Sequence, residues 1–126
     1  MSVLGNTTLR ISEEQAMLLD VARDFCNKRS PISAVRAQLE SDSGFDRATW
    51  DELVALGWCG IALPESLGGS GLGIGSLVPV LESMGRAMLT TPLLATSLAG
   101  QLLQRCAGED LRERLLPQIS AGTIVT

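Results

Sequence analysis

The 126-residue chain contains no histidine and no tyrosine, and only 3% of its residues are aromatic. Without an imidazole there can be no Ser-His-Asp triad, no Cys-His pair and no histidine metal site. The core has to be built from leucine, alanine, valine, isoleucine and methionine, a composition that favours helices over sheets. We therefore expect an all-α domain, and no metal ligands are assigned.

Basic residues are scarce. The chain has 10 lysines and arginines against 14 acidic residues, a net charge of −4, and Lys28 is its single lysine. This balance disfavours nucleic-acid binding, which needs a basic face. No apolar run approaches the roughly 20 residues of a membrane span. Residues 1–10 lack the basic start and apolar block of a signal peptide, so we expect a flexible N-terminus and a cytoplasmic protein.

The three cysteines are Cys26, Cys59 and Cys106, which are isolated from one another and form no C-x-x-C pair. An odd number of cysteines without a secretory signal indicates reduced thiols. We expect all three to be small core side chains, because free cysteine behaves as a buried hydrophobe. No pattern supports a redox role for them.

The hydrophobic pattern predicts a bundle of about five to six helices. Ser12 and Gln15 have the spacing of a capping box, Asp46 is a candidate N-cap, and Gly57 a candidate C-terminal stop. Helices are predicted from the Ser12 cap to the break at Ser30-Pro31, at 31–39, from the Asp46 cap to Gly57, and at 75–89, 92–106 and 110–120. The apolar stripe of 75–89 includes Met88, Gly108 is expected to end 92–106, and Leu111 is expected to face inward in 110–120. Residues 59–63 are predicted to be extended, because the residue before Pro64 is steered away from helix. Residues 123–126 have strand-like, β-branched character.

Five glycines lie within residues 64–75, which read PESLGGSGLGIG. Such a loop invites comparison with phosphate cradles. Ile74 occupies the third glycine position of a G-x-G-x-x-G fingerprint, and the same Ile74 stands where a Walker motif requires lysine. We therefore predict a structural, Ω-like connecting loop.

The helix predicted over residues 92–106 is almost wholly apolar or small. Thr91 and Pro92 mark its start, with Thr91 as the candidate N-cap. A helix that is hydrophobic all round is either buried on all sides or lines an interface or pocket. One hypothesis that follows is a stand-alone helical module that binds a partner protein through this helix.

Several motifs occur in a characteristic order. They are SEEQ at 12–15, VARDF at 21–25, LGW at 56–58, GIALPESLGGSGLG at 60–73, LESMGRA at 81–87 and LLPQISAG at 115–122. In this order they resemble the N-terminal helical domain of the acyl-CoA dehydrogenase family of flavoenzymes. The P-E-x-x-G-G-x-G-L loop is the most specific piece. The resemblance implies a helical domain over 11–122 and the start of a β domain at 123–126.

The resemblance also implies an activity for a longer parent protein. Members of the family bind FAD and oxidise an acyl-CoA thioester to the trans-2-enoyl form, in the catabolism of fatty acids or steroid side chains. Their glutamate base and most flavin contacts lie in segments other than this domain. No catalytic or cofactor-binding residue is therefore assigned here, Glu65 and Glu82 included, and the chain alone is expected to be inert and to bind no FAD.

One family feature transfers to this chain. The helix over 92–106 lies along the acyl pocket in relatives, so the resemblance implies that Leu94, Ala95 and Leu98 belong to the pocket wall, with plain core packing as the alternative. The stretch over residues 86–94 is similar to that of bacterial members acting on bulky or branched substrates, some of them heteromers. The implied partners are an acyl-CoA, homo- or heteromeric subunits and an electron-transfer flavoprotein or similar acceptor.

Overall fold

The structure, a computed structural model, describes residues 10–126, so the expected flexibility of residues 1–10 falls almost wholly outside the described part. Six α-helices make up the domain: α1 (Glu13–Arg29), α2 (Ile32–Leu39), α3 (Arg47–Ala55), α4 (Val78–Arg86), α5 (Leu93–Cys106) and α6 (Glu109–Ser120). Residues 10–126 contain no strand. The prediction of an all-α bundle of about five to six helices is confirmed. None of the helices described is long and apolar enough to cross a bilayer.

Local capping signals fix the starts of α1 and α3. The Ser12 hydroxyl accepts a hydrogen bond from the Gln15 amide, and the Gln15 side chain accepts one from the Ser12 amide, both at 3.1 Å. The Asp46 carboxylate accepts hydrogen bonds of 2.8 Å from the Thr49 amide and from the Thr49 hydroxyl. Both caps follow the sequence prediction, because each satisfies helix N–H groups that have no partner within the helix.

The core is a single large cluster with a small satellite. The large cluster joins α1, α3, α4 and the start of α5 around Trp50 and Trp58, and the Phe25 ring meets Trp58 edge-on with 5.0 Å between centroids. The satellite consists of Leu63, Leu116 and Ile119. With so few aromatic residues in the chain, the two tryptophans are the largest side chains in the core, and leucines fill much of the remaining volume.

The glycine-rich loop folds back onto the residues that precede it. The amides of Ser70 and Gly71 donate to the carbonyls of Gly60 and Leu63, both at 2.8 Å. A Cβ on Gly69 would lie 2.2 Å from the Leu63 carbonyl oxygen, so only glycine fits there. The loop is therefore closed by its own backbone, in agreement with the structural role predicted for it.

The prediction that residues 59–63 are extended is wrong. Trp58–Gly60 forms a 3₁₀ helix, and the Leu63 amide donates to the Gly60 carbonyl at 3.1 Å. Proline restricts only the residue directly before it. The rest of the segment follows Gly57, whose left-handed backbone (φ 80°) turns the chain into the 3₁₀ helix.

Helix α4 is shorter than the predicted 75–89. A 3₁₀ helix at Ile74–Leu77 precedes it, and it ends at Arg86 because Met88 adopts a left-handed backbone with φ 54°. The Leu89 amide donates to the Met84 carbonyl at 2.9 Å, which closes the helix end as a Schellman motif. Met88 is 55% exposed and does not join the apolar stripe predicted for it.

Three predictions at the ends of α5 and α6 are also wrong. Pro92, not Thr91, is the N-cap of α5, although the Thr91 hydroxyl accepts from the Leu93 amide at 3.3 Å. Gly108 does not end α5 but caps the start of α6. Leu111, predicted to face inward, is 41% exposed. The connection before α5 is longer than predicted, because α4 already ends at Arg86, whereas the connection between α5 and α6 is shortened to residues 107–108.

Cys106 is exposed, whereas Cys26 and Cys59 are buried. The prediction that all three are core residues is thus wrong for Cys106, which is the last residue of α5 and lies where the helix leaves the core. The terminal segment 123–126 has no strand pairing. Whether it begins a β domain stays a prediction.

Candidate functional site

Helix α5 presents two different faces. Leu93, Thr96, Ser97 and Gly100 are buried. Leu94, Leu98 and Leu102, one turn apart, are 53%, 55% and 63% exposed. We call these three leucines the α5 stripe. The helix is therefore not buried on all sides, and of the two options that the sequence left open for it, burial on all sides is excluded.

Small residues let α5 lie close to the rest of the domain. A Cβ on Gly100 would meet the Leu63 side chain at 3.3 Å, and the Gln101 side chain donates to the Ala62 carbonyl at 3.1 Å. The helix backbone is thus pressed against the turn that follows Trp58–Gly60. This packing leaves Leu94, Leu98 and Leu102 on the outer face of α5.

A groove of about 830 Å³ lies between α2, the turn after it, α4 and the start of α5. Its walls are mostly apolar, and one end is polar; the lining comprises Val35, Gln38, Leu39, Ser41, Asp42, Ser43, Gly44, Leu81, Met84, Gly85, Met88, Leu89, Thr90, Thr91 and Leu94. Its volume lies within the usual range for small-molecule pockets, about 300–1,000 Å³.

Of the three residues predicted for a pocket wall, Leu94 lines this groove. Ala95 and Leu98 are exposed on α5 but do not line it. The structure therefore brings the three together on one exposed helix surface, with Leu94 at the groove edge. Met88 and Leu39, both exposed, extend the apolar surface on the far side of the groove.

The two glutamates that sequence reasoning set aside are exposed. Glu82 forms an exposed ion pair with Arg86 at 3.2 Å, one turn along α4. Glu65 lies beside Gly71 in the glycine-rich loop, 3.3 Å from the position of a Cβ there. Within residues 10–126 no cluster of three or more histidine, cysteine or carboxylate side chains could hold a metal ion.

The titratable groups with shifted pKa values belong to the scaffold. Burial raises the pKa of the Cys26 and Cys59 thiols to about 11. The hydrogen bonds that Thr49 donates lower the pKa of Asp46 below its usual value. Neither cysteine lines the groove, and Asp46 caps α3, so these shifts bear on stability.

The glycine-rich loop does not present the backbone N–H groups of residues 69–71 to a phosphate. A phosphate cradle needs backbone N–H groups that point at the ligand, but those of Gly69, Ser70 and Gly71 donate to the carbonyls of Pro64, Gly60 and Leu63. Among residues 10–126, two buried side-chain atoms have no hydrogen-bond partner, Ser97 Oγ and Gln104 Oε1. Ser97 borders a void with no room for a water molecule, so it marks no ligand position.

The last residues of the chain are bound to the inner side of α5 and to α3. Thr96 Oγ1 accepts a hydrogen bond from the Val125 amide and donates one to the Val125 carbonyl, both at 3.1 Å. Trp50 Nε1 donates to the Gly122 carbonyl at 3.2 Å. Sequence reasoning missed Thr96; a threonine among leucines on the inner face of an apolar helix was the available signal.

Comparison with known proteins bears on this arrangement. The family described as "Acyl-CoA dehydrogenase, N-terminal domain" matches residues 12–123. The chain belongs to the acyl-CoA dehydrogenase family. The resemblance carried by the sequence motifs is thereby confirmed, and the helical domain described above is the N-terminal domain of that family.

Similar acyl-CoA dehydrogenases are longer than this chain. It is 34% identical over 116 residues to acyl-CoA dehydrogenase IpdE2 of Mycolicibacterium smegmatis, covering 91% of this chain and 37% of that relative. A variant of the Tcur3481-Tcur3483 steroid ACAD superimposes with a TM-score of 0.81 at 35% identity, covering 87% of this chain and 30% of that one. The ChsE4-ChsE5 complex from Mycobacterium tuberculosis gives 0.82 at 25% identity, covering 90% and 31%. The chain thus spans about a third of each.

Proposed function

We propose that this chain is the N-terminal helical domain of a flavin-dependent dehydrogenase that oxidises an acyl-CoA thioester to the trans-2-enoyl-CoA. The match to the family over residues 12–123 carries the proposal. The base and the flavin belong to other parts of such an enzyme, and no residue of this chain is assigned to either. The task of this domain is to cover one side of the acyl and flavin site and to support contacts between subunits.

The proposed acyl-pocket wall consists of Leu94, Ala95 and Leu98. An apolar wall favours an acyl chain because covering one leucine-sized side chain contributes roughly 1.5–3 kcal/mol. The same wall keeps water away from the reacting carbons, which strengthens electrostatic interactions in the site. The exposure of Leu94 and Leu98 in this chain supports the assignment, since core packing does not account for it.

The proposed substrate is a bulky, ring-bearing acyl-CoA. Leu94 borders an apolar groove of about 830 Å³, which offers room beyond that needed by a short straight chain. The likeness to a steroid ACAD supports the same class. The likeness to the ChsE4-ChsE5 complex supports assembly with a related chain. We further propose an electron-transfer flavoprotein or similar acceptor and a cytoplasmic location.

Intact mass and visible absorption of the protein purified from its native source test this function first. The expected result is a mass about three times 13.3 kDa, with a yellow flavin spectrum and turnover of ring-bearing acyl-CoAs. A flavin-free protein without dehydrogenase activity overturns the proposal. Dehydrogenation of any acyl-CoA by the purified 126-residue chain contradicts the expectation that it is inert alone.

The wall residues are tested in that flavoprotein by replacing Leu94 with glutamine. A polar side chain in the wall weakens acyl binding, so KM for a ring-bearing acyl-CoA is expected to rise about tenfold, the effect of losing roughly 1.4 kcal/mol. Val78→Gln is the matched control, because Val78 is 59% exposed on α4 and does not line the groove. Equal KM values for the two variants contradict the wall assignment.

The α5 stripe also supports a second function, a stand-alone module that binds a partner protein. Exposed apolar surface of this kind marks interaction sites on soluble domains. The substitution Leu98→Gln distinguishes the two functions. If the chain is a stand-alone module, the substitution weakens partner binding by a flavin-free chain. If it is part of a dehydrogenase, the substitution changes the acyl-CoA kinetics of a flavoprotein. A wild-type chain that stays monomeric without any partner weighs against the module.

A further inference from the structure

The segment 122–125 is attached to the domain at several independent points. Besides the two hydrogen bonds between Thr96 and Val125, the Gly122 carbonyl accepts from Trp50 Nε1. Ile124 packs against the large core cluster and Val125 against the satellite. Gly122 lies so close to Val54 that a Cβ would come within 2.8 Å of that side chain. The path of the segment is therefore fixed relative to α3 and α5.

Thr96 lies on the face of α5 opposite to the α5 stripe. Successive residues of an α-helix are about 100° apart, so Thr96 points about 200° away from both Leu94 and Leu98. Its side chain is fully buried while theirs are exposed. One rigid turn of helix thus carries the terminal segment on one side and the proposed acyl-pocket wall on the other.

We propose that Thr96 is a positioning residue for the acyl site, because its hydroxyl fixes the register between segment 122–125 and the α5 stripe. This inference rests on the proposed function. In the dehydrogenase, the chain that continues from this segment is held at a set distance from the wall formed by Leu94 and Leu98. A shift of the segment along α5 changes the shape of the acyl pocket without altering any residue that contacts the substrate.

Threonine suits this position for two physical reasons. Its hydroxyl donates one hydrogen bond and accepts another, which are the two that Val125 requires. Its side chain is fully buried, so the γ-methyl group that serine lacks is also removed from water. Valine has the same shape without the hydroxyl and leaves both backbone groups of Val125 without their partner.

The test compares Thr96→Val, Thr96→Ser and Ser97→Ala in the holoenzyme and in the 126-residue chain. Ser97 is the matched control: it is the next residue, it is buried, and its hydroxyl has no partner. The first readout is amide hydrogen exchange at Val125, which requires no flavin. The second is kcat and KM for a ring-bearing acyl-CoA, with rates expressed per bound flavin so that loss of folded enzyme does not enter.

We expect Thr96→Val to accelerate exchange at Val125 and to lower kcat/KM about 10- to 100-fold, mainly through KM, since small displacements of a site cost this much. Thr96→Ser should restore most of the exchange protection at Val125 and most of kcat/KM, and Ser97→Ala should keep both quantities within twofold of the wild-type values. Faster exchange with unchanged kcat and KM in an active holoenzyme overturns the positioning role alone. Unchanged exchange overturns the hydrogen-bonded contact itself. A wild-type protein without flavin or activity overturns the proposed function and the positioning role with it.

Discussion

Among the glycines of the described residues, Gly69 has the least room for a side chain. A Cβ there would come within 2.2 Å of the Leu63 carbonyl oxygen and 2.7 Å of the Gly60 carbonyl oxygen. Gly69→Ala forces these two backbone segments apart, and we expect a loss of about 3 kcal/mol or more in the free energy of unfolding, measured by urea denaturation. Gly85→Ala is the control. Gly85 lies in α4 with open space around it, so alanine should add about 0.5–1 kcal/mol. Equal effects would contradict the close approach.

The two buried cysteines should make the stability of the domain depend on pH in the alkaline range. Burial raises the pKa of Cys26 and Cys59 from 9.0 to about 11, so folding favours their neutral form. Their contribution to stability is complete below pH 9, because both states then hold neutral thiols, and it is lost as the pH rises toward about 11. We expect the urea midpoint to fall over this range, and less steeply in Cys59→Ala.

Thiol accessibility gives an independent check on the same three residues. Cys106 is exposed, and the other two are buried. A thiol reagent at pH 8 should modify one cysteine of the native chain and all three after denaturation. Rapid modification of all three in the native chain would contradict the burial of Cys26 and Cys59.

At the scale of single elements, the N-cap of α3 has a measurable pH dependence. The hydrogen bonds from Thr49 lower the pKa of Asp46, so its contribution is present above the ordinary aspartate pKa of about 3.9 and is lost as the pH falls below it. Asp46→Ala should cost about 0.5–2 kcal/mol at neutral pH, and Asp46→Asn less. The difference between wild type and Asp46→Ala should shrink at pH 3. A difference independent of pH would contradict the cap.

Some ends of the helices could be predicted from the sequence, whereas the way the helices pack against one another could not. Ser12, Asp46 and Gly57 act on their own helix ends, and the sequence alone identifies them because a cap needs only neighbouring residues. The exposure of Leu111 and Cys106 depends on how α5 and α6 pack against each other, which no local pattern contains. For the same reason the contact between Thr96 and Val125, 29 residues apart, was not predicted. Leu94 is named as a wall residue from the family resemblance and not from a local pattern, and that assignment stays a prediction.

At the scale of the whole molecule, the exposed leucines and the stability of the isolated domain are linked. The stability of a domain of this size is marginal. Ordering each residue costs about 1.5 kcal/mol, and the sum nearly cancels the free energy gained by burying apolar surface. The α5 stripe adds apolar surface that stays in water unless something covers it. We therefore expect the isolated 126-residue chain to be of low stability or to self-associate.

Replacing Leu98 with glutamine separates these two consequences. Leu98 is 55% exposed, so the free energy of unfolding should change by no more than about 0.5 kcal/mol, while self-association measured by sedimentation should weaken. Val78→Gln, an equally exposed position on α4, should leave association unchanged. Association that persists in Leu98→Gln would show that another surface is responsible. A wild-type monomer that melts sharply well above about 65 °C would contradict the expectation that the isolated chain is of low stability or self-associates, and would show that the α5 stripe needs no cover for the domain to be stable.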